Sequence, residues 1–172
     1  MSDTMQPEQQ EFQMPTPGAE HERLKPFAGK FRSEVKMWMG PGDPHISTGT
    51  ISNTWKIGGL YLHQEYTGDA TDGPFPSFCG EGFWGFNTAS GKYEGFWIDN
   101  ASTMMQNETG DVDEAGKVWT MHSEVACQAT GQQMKKRSVI TLIDNDHNRM
   151  EMFFTGDDGN EMKAMEINYT RV

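Results

Sequence analysis

The chain has 172 residues, 14 Lys and Arg against 25 Asp and Glu, a formal net charge of −11 and 35% hydrophobic residues. That length suits one domain with a single core, and the acidic balance excludes a partner recognised through its phosphate backbone and disfavours an anionic membrane surface. There is no apolar run of about 18 residues and no charged-then-apolar leader, so the expected location is the cytoplasm.

Residues 1–17, "MSDTMQPEQQEFQMPTP", are rich in Gln, Pro and Glu and offer little to bury, which predicts a disordered arm ahead of a single domain over 18–172. A short helix is expected from Ala19 to Lys25, with Leu24 and Phe27 as inward anchors and Pro26 and Gly29 as stops. From Lys30 the sequence becomes a series of alternating runs. They predict ten strands, at 30–39, 47–57, 60–68, 77–86, 92–99, 102–110, 116–126, 132–144, 148–155 and 161–171. The connections, such as "GG", "NTASGK", "NA", "QATG" and "GDDGN", are mostly short, polar and turn-forming, as sequential hairpins require. An open meander of ten strands exposes two long edges, whereas closure removes them. The expected fold is therefore all-β, an antiparallel up-and-down β-barrel of about ten strands with a short N-terminal helix.

Several motifs invite a chemical reading and do not carry it. "CGEGFWGF", Cys79 to Phe86, spaces its glycines like a dinucleotide-binding loop, but it follows a Pro/Gly loop and precedes a turn, where that role needs a strand before and a helix after. Here the glycines read as places where a wall bends or a neighbouring ring lies across bare backbone, with Phe78, Gly80, Gly82, Trp84 and Phe86 on one face. "DNDHN", Asp144 to Asn148, lacks the later glycine and acidic residue of a calcium loop and reads as a turn. Cys79 and Cys127 make no disulfide framework and read as free thiols. The basic run Lys135, Lys136, Arg137 reads as a solvated strand segment. No serine-nucleophile elbow, zinc-protease motif, C-x-x-C or phosphate-binding lysine motif occurs.

His63-x-Glu65 and His122-x-Glu124 each put an imidazole and a carboxylate on one strand face. Leu62 and Tyr66 look inward, which leaves His63 and Glu65 outside; the parity around His122 stays open. Trp55, Tyr66, Trp84, Trp97, Met104 and Met152 are large, mid-strand and flanked by polar neighbours. With His122 they form the expected ligand-binding set; no metal site and no catalytic residue is assigned.

The segments "MPTPGAEHERLKPFAGKF", "EVKMWMGPG", "GGLYLHQEYTGD", "GFNTASGKYEGFWID" and "TGDDGNEMKAMEINYTRV" resemble the bacterial domain-of-unknown-function family numbered 1579. The resemblance spans about Met14 to Val172 and implies a calycin-like barrel, similar in outline to lipocalins, without a settled activity. Nitrobindin-type barrels, related by fold, hold haem through a histidine on a late strand. The last two expected strands here contain none, and His147 falls in the turn before them, so no cofactor is expected.

Three readings follow. The first is a barrel that binds a small hydrophobic or amphipathic molecule inside. The second is a non-catalytic interaction protein with a filled core and an outer face for a partner or a second copy, a homo-oligomer. The third is an enzyme acting through His122.

Overall fold

A computed structural model describes residues 13–70, 77–127, 130–156 and 159–172. Residues 1–12 of the expected arm lie outside this set, and residues 13–17 are exposed and irregular. The expected connections over 69–76, 128–131 and 156–160 also fall partly outside it.

In β1 (Gly29–Met37) Phe31, Ser33 and Val35 are buried while Arg32 and Glu34 are exposed. This is the two-residue period of a wall with a sheltered inside and a wet outside. Nine more strands follow: β2 (His45–Lys56), β3 (Tyr61–Gly68), β4 (Cys79–Asn87), β5 (Lys92–Asp99), β6 (Gln106–Val112), β7 (Val118–Ala126), β8 (Gln133–Leu142), β9 (His147–Thr155) and β10 (Glu161–Arg171). Each pairs antiparallel with the next, and β1 closes on β10 from Phe31↔Arg171 to Met37↔Met165. Closure leaves no free sheet edge. Turn chemistry makes the tight reversals. Between β4 and β5, Asn87 Oδ1 accepts the N–H groups of Ala89 and Ser90, and Gly91, at φ 67°, takes the left-handed conformation the turn needs.

The expected helix is shorter than its pattern. α1 covers Ala19–Glu22 and gives way to a 3-10 turn over Lys25–Phe27. The reason is Pro26, whose ring in a continuing helix would meet the carbonyl of Glu22. The break is useful, because it drops Leu24 and Phe27 into the barrel end where β1 begins and β2 finishes. There Leu24, Phe27, Leu62, Trp84, Tyr93, Trp119 and Met121 form one buried cluster. The Phe27 ring meets Trp84 and Trp119 edge-on, each with centroids 5.1 Å apart. Burying such a ring contributes about 2–3 kcal/mol. Polar clamps fix the stopper: Asn53 Nδ2 donates to the Phe27 carbonyl at 2.8 Å and the Tyr93 hydroxyl donates to that of Glu20 at 3.1 Å. This end is the closed base.

Two other expectations shift. β6 starts at Gln106 rather than 102, because the chain turns after β5: the Ala101 N–H bonds Asp99 Oδ1 and the Met104 N–H bonds Ser102 Oγ. Met104 therefore sits in the connection, not mid-strand. β9 begins one residue early, so His147 is a strand residue after all. It is exposed and holds Asp144 Oδ1 at 2.9 Å. Asp144 Oδ1 also accepts the N–H groups of Asp146 and His147, which makes "DNDHN" the turn its sequence suggests.

Candidate functional site

The barrel interior changes character from base to mouth. Above the stopper a second cluster, Phe31, Val35, Ile51, Tyr66 and Ile167, packs against Trp97, Met150, Met165 and Tyr169. Beyond it, inward positions such as Met37, Met152 and Phe154 remain only half-buried. Those positions share the parity of buried neighbours, so what they are open to is the inside. Exposed methionines stand on the rim of the same end, Met39 before β2, Met105 before β6 and Met162 at the start of β10, at 85%, 74% and 66% exposure. Two shallow clefts, of about 300 and 380 Å³, flank this end. Outward-facing His122, Glu124 and Lys135 line one together with Ser123 and Lys136, and outward-facing Glu65, Glu81 and Ile98 line the other together with Tyr66 and Gly80, so both belong in large part to the outer wall.

Glycines position the large rings. Trp97 on β5 stands opposite Gly82 on β4 and lies flat across two glycines. A β-carbon on Gly80 would come within 2.9 Å of its Cε2, and one on Gly82 within 2.7 Å of its Cε3. The Trp97 indole N–H donates to Asp99 Oδ2 at 3.0 Å, which fixes its tilt. Tyr66 on β3 likewise passes over Gly49, where a β-carbon would meet its ring, and reaches Ser33 on β1 at 3.0 Å. Burial raises the Tyr66 hydroxyl above its ordinary pKa, with the Ser33 hydrogen bond opposing the rise. Tyr169 is raised too, by burial first and then by Tyr66. Both phenols stay neutral at physiological pH.

The opposite wall is polar in a way the sequence reading missed. On β7, Trp119, Met121 and Val125 are buried, which sets Ser123 inside and His122 outside. On β8 the inner set is Lys136, Ser138 and Ile140, not the solvated run expected for 135–137: Lys136 is only 6% exposed. Its Nζ donates to Gln106 Oε1 at 3.2 Å and pairs with Glu108 Oε2 at 3.4 Å, and Ser138 Oγ donates to the same Glu108 oxygen at 3.0 Å. A buried charge needs such partners. The signal was in the alternation, since Ser138 and Ile140 pointing inward carry Lys136 with them.

The expected binding set thus divides. Tyr66, Trp97 and Met152 belong to the mouth half, whereas Trp55 and Trp84 pack into the filled base. Met104 is half-buried in the rim connection, and His122 is exposed on the outer face. His63 is outside as well, stacked on Phe83 at 4.7 Å with Glu81 at 3.3 Å. Cys79 and Cys127 are not joined. Among the described residues no three His, Cys, Asp or Glu side chains cluster as metal ligands, and no helix is long and apolar enough to cross a membrane.

The family model described as "Protein of unknown function (DUF1579)" matches residues 16–171, the stopper and the whole barrel wall. The chain belongs to this family. Two solved structures show how widely the DUF1579 barrel is shared. Rv2717c from M. tuberculosis superposes with a TM-score of 0.65 at 12% identity, covering 90% of this chain and 98% of the other. The S-type phycobiliprotein lyase CPES from Guillardia theta gives 0.58 at 10% identity, covering 91% and 98%. At such identities the likeness is one of fold. No curated protein matches the sequence.

Proposed function

We infer that this DUF1579 protein binds a small hydrophobic or amphipathic molecule in the mouth half of its barrel. One observation carries the reading: above a base filled by rings, inward-facing Met152, Met165, Phe154 and Trp97 are left half-buried. Apolar side chains that face inward and still touch solvent are what a hydrophobic guest would cover. The methionines suit a guest of irregular shape, because their unbranched thioether chains repack at little cost. Tyr66 and the Lys136 network supply a few fixed polar groups among them, the usual composition of a small-molecule pocket.

Trp97 is the built-in reporter. Titration of the protein with fatty acids, their esters, haem and an apolar dye, followed by tryptophan fluorescence, is expected to give a saturable change with at least one of them. Trp97→Phe is expected to remove most of that change while the fold persists. If none of these compounds gives a saturable response, the binding reading fails, and the outer face becomes the place to look for function.

A further inference from the structure

We propose that the guest's polar end is read by Ser123 and Lys136, and that this end is a neutral hydrogen-bond acceptor, a carbonyl or ester oxygen, not a carboxylate. The inference rests on the binding reading above and adds the chemistry of the guest. Ser123 and Lys136 are directly opposite each other across β7 and β8. Both face inward, Ser123 between buried Met121 and Val125, and Lys136 two residues before buried Ser138. Among the described residues the Ser123 hydroxyl oxygen is buried and has no hydrogen-bond partner. A buried hydroxyl without a partner is rare enough to call for an explanation. Lys136 has three N–H donors; among the described residues it donates to Gln106 and pairs with Glu108, which leaves at least one N–H for a guest. A hydroxyl and an ammonium carried inward from paired positions on adjacent strands make a two-donor station for a single acceptor oxygen.

Charge decides the class of acceptor. The Lys136 ammonium is already balanced by Glu108 at 3.4 Å, and a further carboxylate, Asp99, stands at the same end beside Trp97. A guest carboxylate would bring another negative charge into a sheltered space where, among the described residues, Lys136 is the inward-facing cation, with like-charge repulsion and desolvation both against it. A ketone, ester or amide oxygen takes the same two hydrogen bonds and adds no charge. The chain attached to it would then lie against Trp97, Met150, Met152 and Met165, the apolar side of the interior.

The test is competition against the uncharged dye N-phenyl-1-naphthylamine by methyl octanoate, octanoate and octane. Methyl octanoate is expected to displace the dye at about tenfold lower concentration than either of the others, the ratio that one net hydrogen bond gives. Ser123→Ala is expected to remove most of that advantage over octane and leave octane itself unchanged. The pair Lys136→Gln with Glu108→Gln, which strands no lone charge, is expected to do the same. Octanoate binding as well as the ester, or an ester-to-octane ratio untouched in Ser123→Ala, overturns the inference while the interior site stands. Failure of the wild-type protein to take up the dye, or of all three compounds to displace it, overturns the interior site and this inference together.

Discussion

Arg171 Nη1 donates to the carbonyl oxygen of Ala28 at 2.8 Å, a hydrogen bond between residues 143 positions apart. The same guanidinium donates to the carbonyls of Pro26 at 2.6 Å and Asn145 at 2.8 Å and lies over the Phe31 ring at 4.4 Å. The end of the last strand thereby pins the stopper that precedes the first. Arg171→Ala is expected to lower stability by about 2 kcal/mol, discounted for the partial exposure of the side chain. Arg171→Lys should recover less than half, since one ammonium cannot reproduce the planar fork. Urea unfolding of the two variants against wild type measures both numbers.

Gly82→Ala is expected to destabilise the barrel by about 1–3 kcal/mol. The added carbon meets both the Trp97 ring and the Phe96 backbone carbonyl, and backbone in a closed sheet cannot step aside. The near-ultraviolet dichroism of the tryptophans should change with it. An unaltered spectrum and midpoint would show that Trp97 does not lie across this glycine.

Acid should act on β10. Glu166 accepts from Lys163 and from Asn168, at 3.1 Å for the latter, and the Lys163 hydrogen bond is the main cause of its pKa falling from 4.5 to about 2. A carboxylate depressed on folding contributes its full share above its unfolded pKa and loses it as pH falls through the folded value. Wild type should therefore lose stability relative to Glu166→Gln between about pH 4.5 and 2. Asp69, held down by Arg32 and Thr48, and Glu161, held down by Arg137, are lowered as well and add their own acid sensitivity. The measured quantity is accordingly the difference between the two proteins' unfolding curves at each pH. A constant difference refutes the coupling.

Tyr66→Phe removes the hydroxyl that reaches Ser33 over Gly49. Ser33 is buried, so the loss leaves its hydroxyl unpaired at a cost of about 1–2 kcal/mol. The double variant Tyr66→Phe/Ser33→Ala should be less destabilised than the sum of the single ones, a coupling that thermal denaturation of the four proteins resolves.

Most of the wall was legible because strand parity is a local property. The run Phe31, Ser33, Val35 and the glycines of "CGEGFWGF" declare their faces within a few residues, and the ring lying on those glycines follows from the missing β-carbons. The boundaries of β6 were not legible, because Asp99 and Ser102 stop the chain with side-chain hydrogen bonds that alternation does not encode. Of the candidate site, the apolar members Tyr66, Trp97 and Met152 were visible as bulky residues. Which end of the barrel is filled was not, because that depends on Leu24 and Phe27, remote in sequence from the strands they plug. Lys136 was hidden for a different reason: a lysine between Lys135 and Arg137 looks wet, and only Gln106 and the carboxylate of Glu108, two strands away on β6, make its burial tolerable.

The stopper gives the molecule a polarity along its axis. The backbone of Val172 bonds that of Lys30 at the base, so any polypeptide continuing past Val172 departs from the side away from the rim. A tag or partner domain fused after Val172 is therefore expected to leave the rim uncovered.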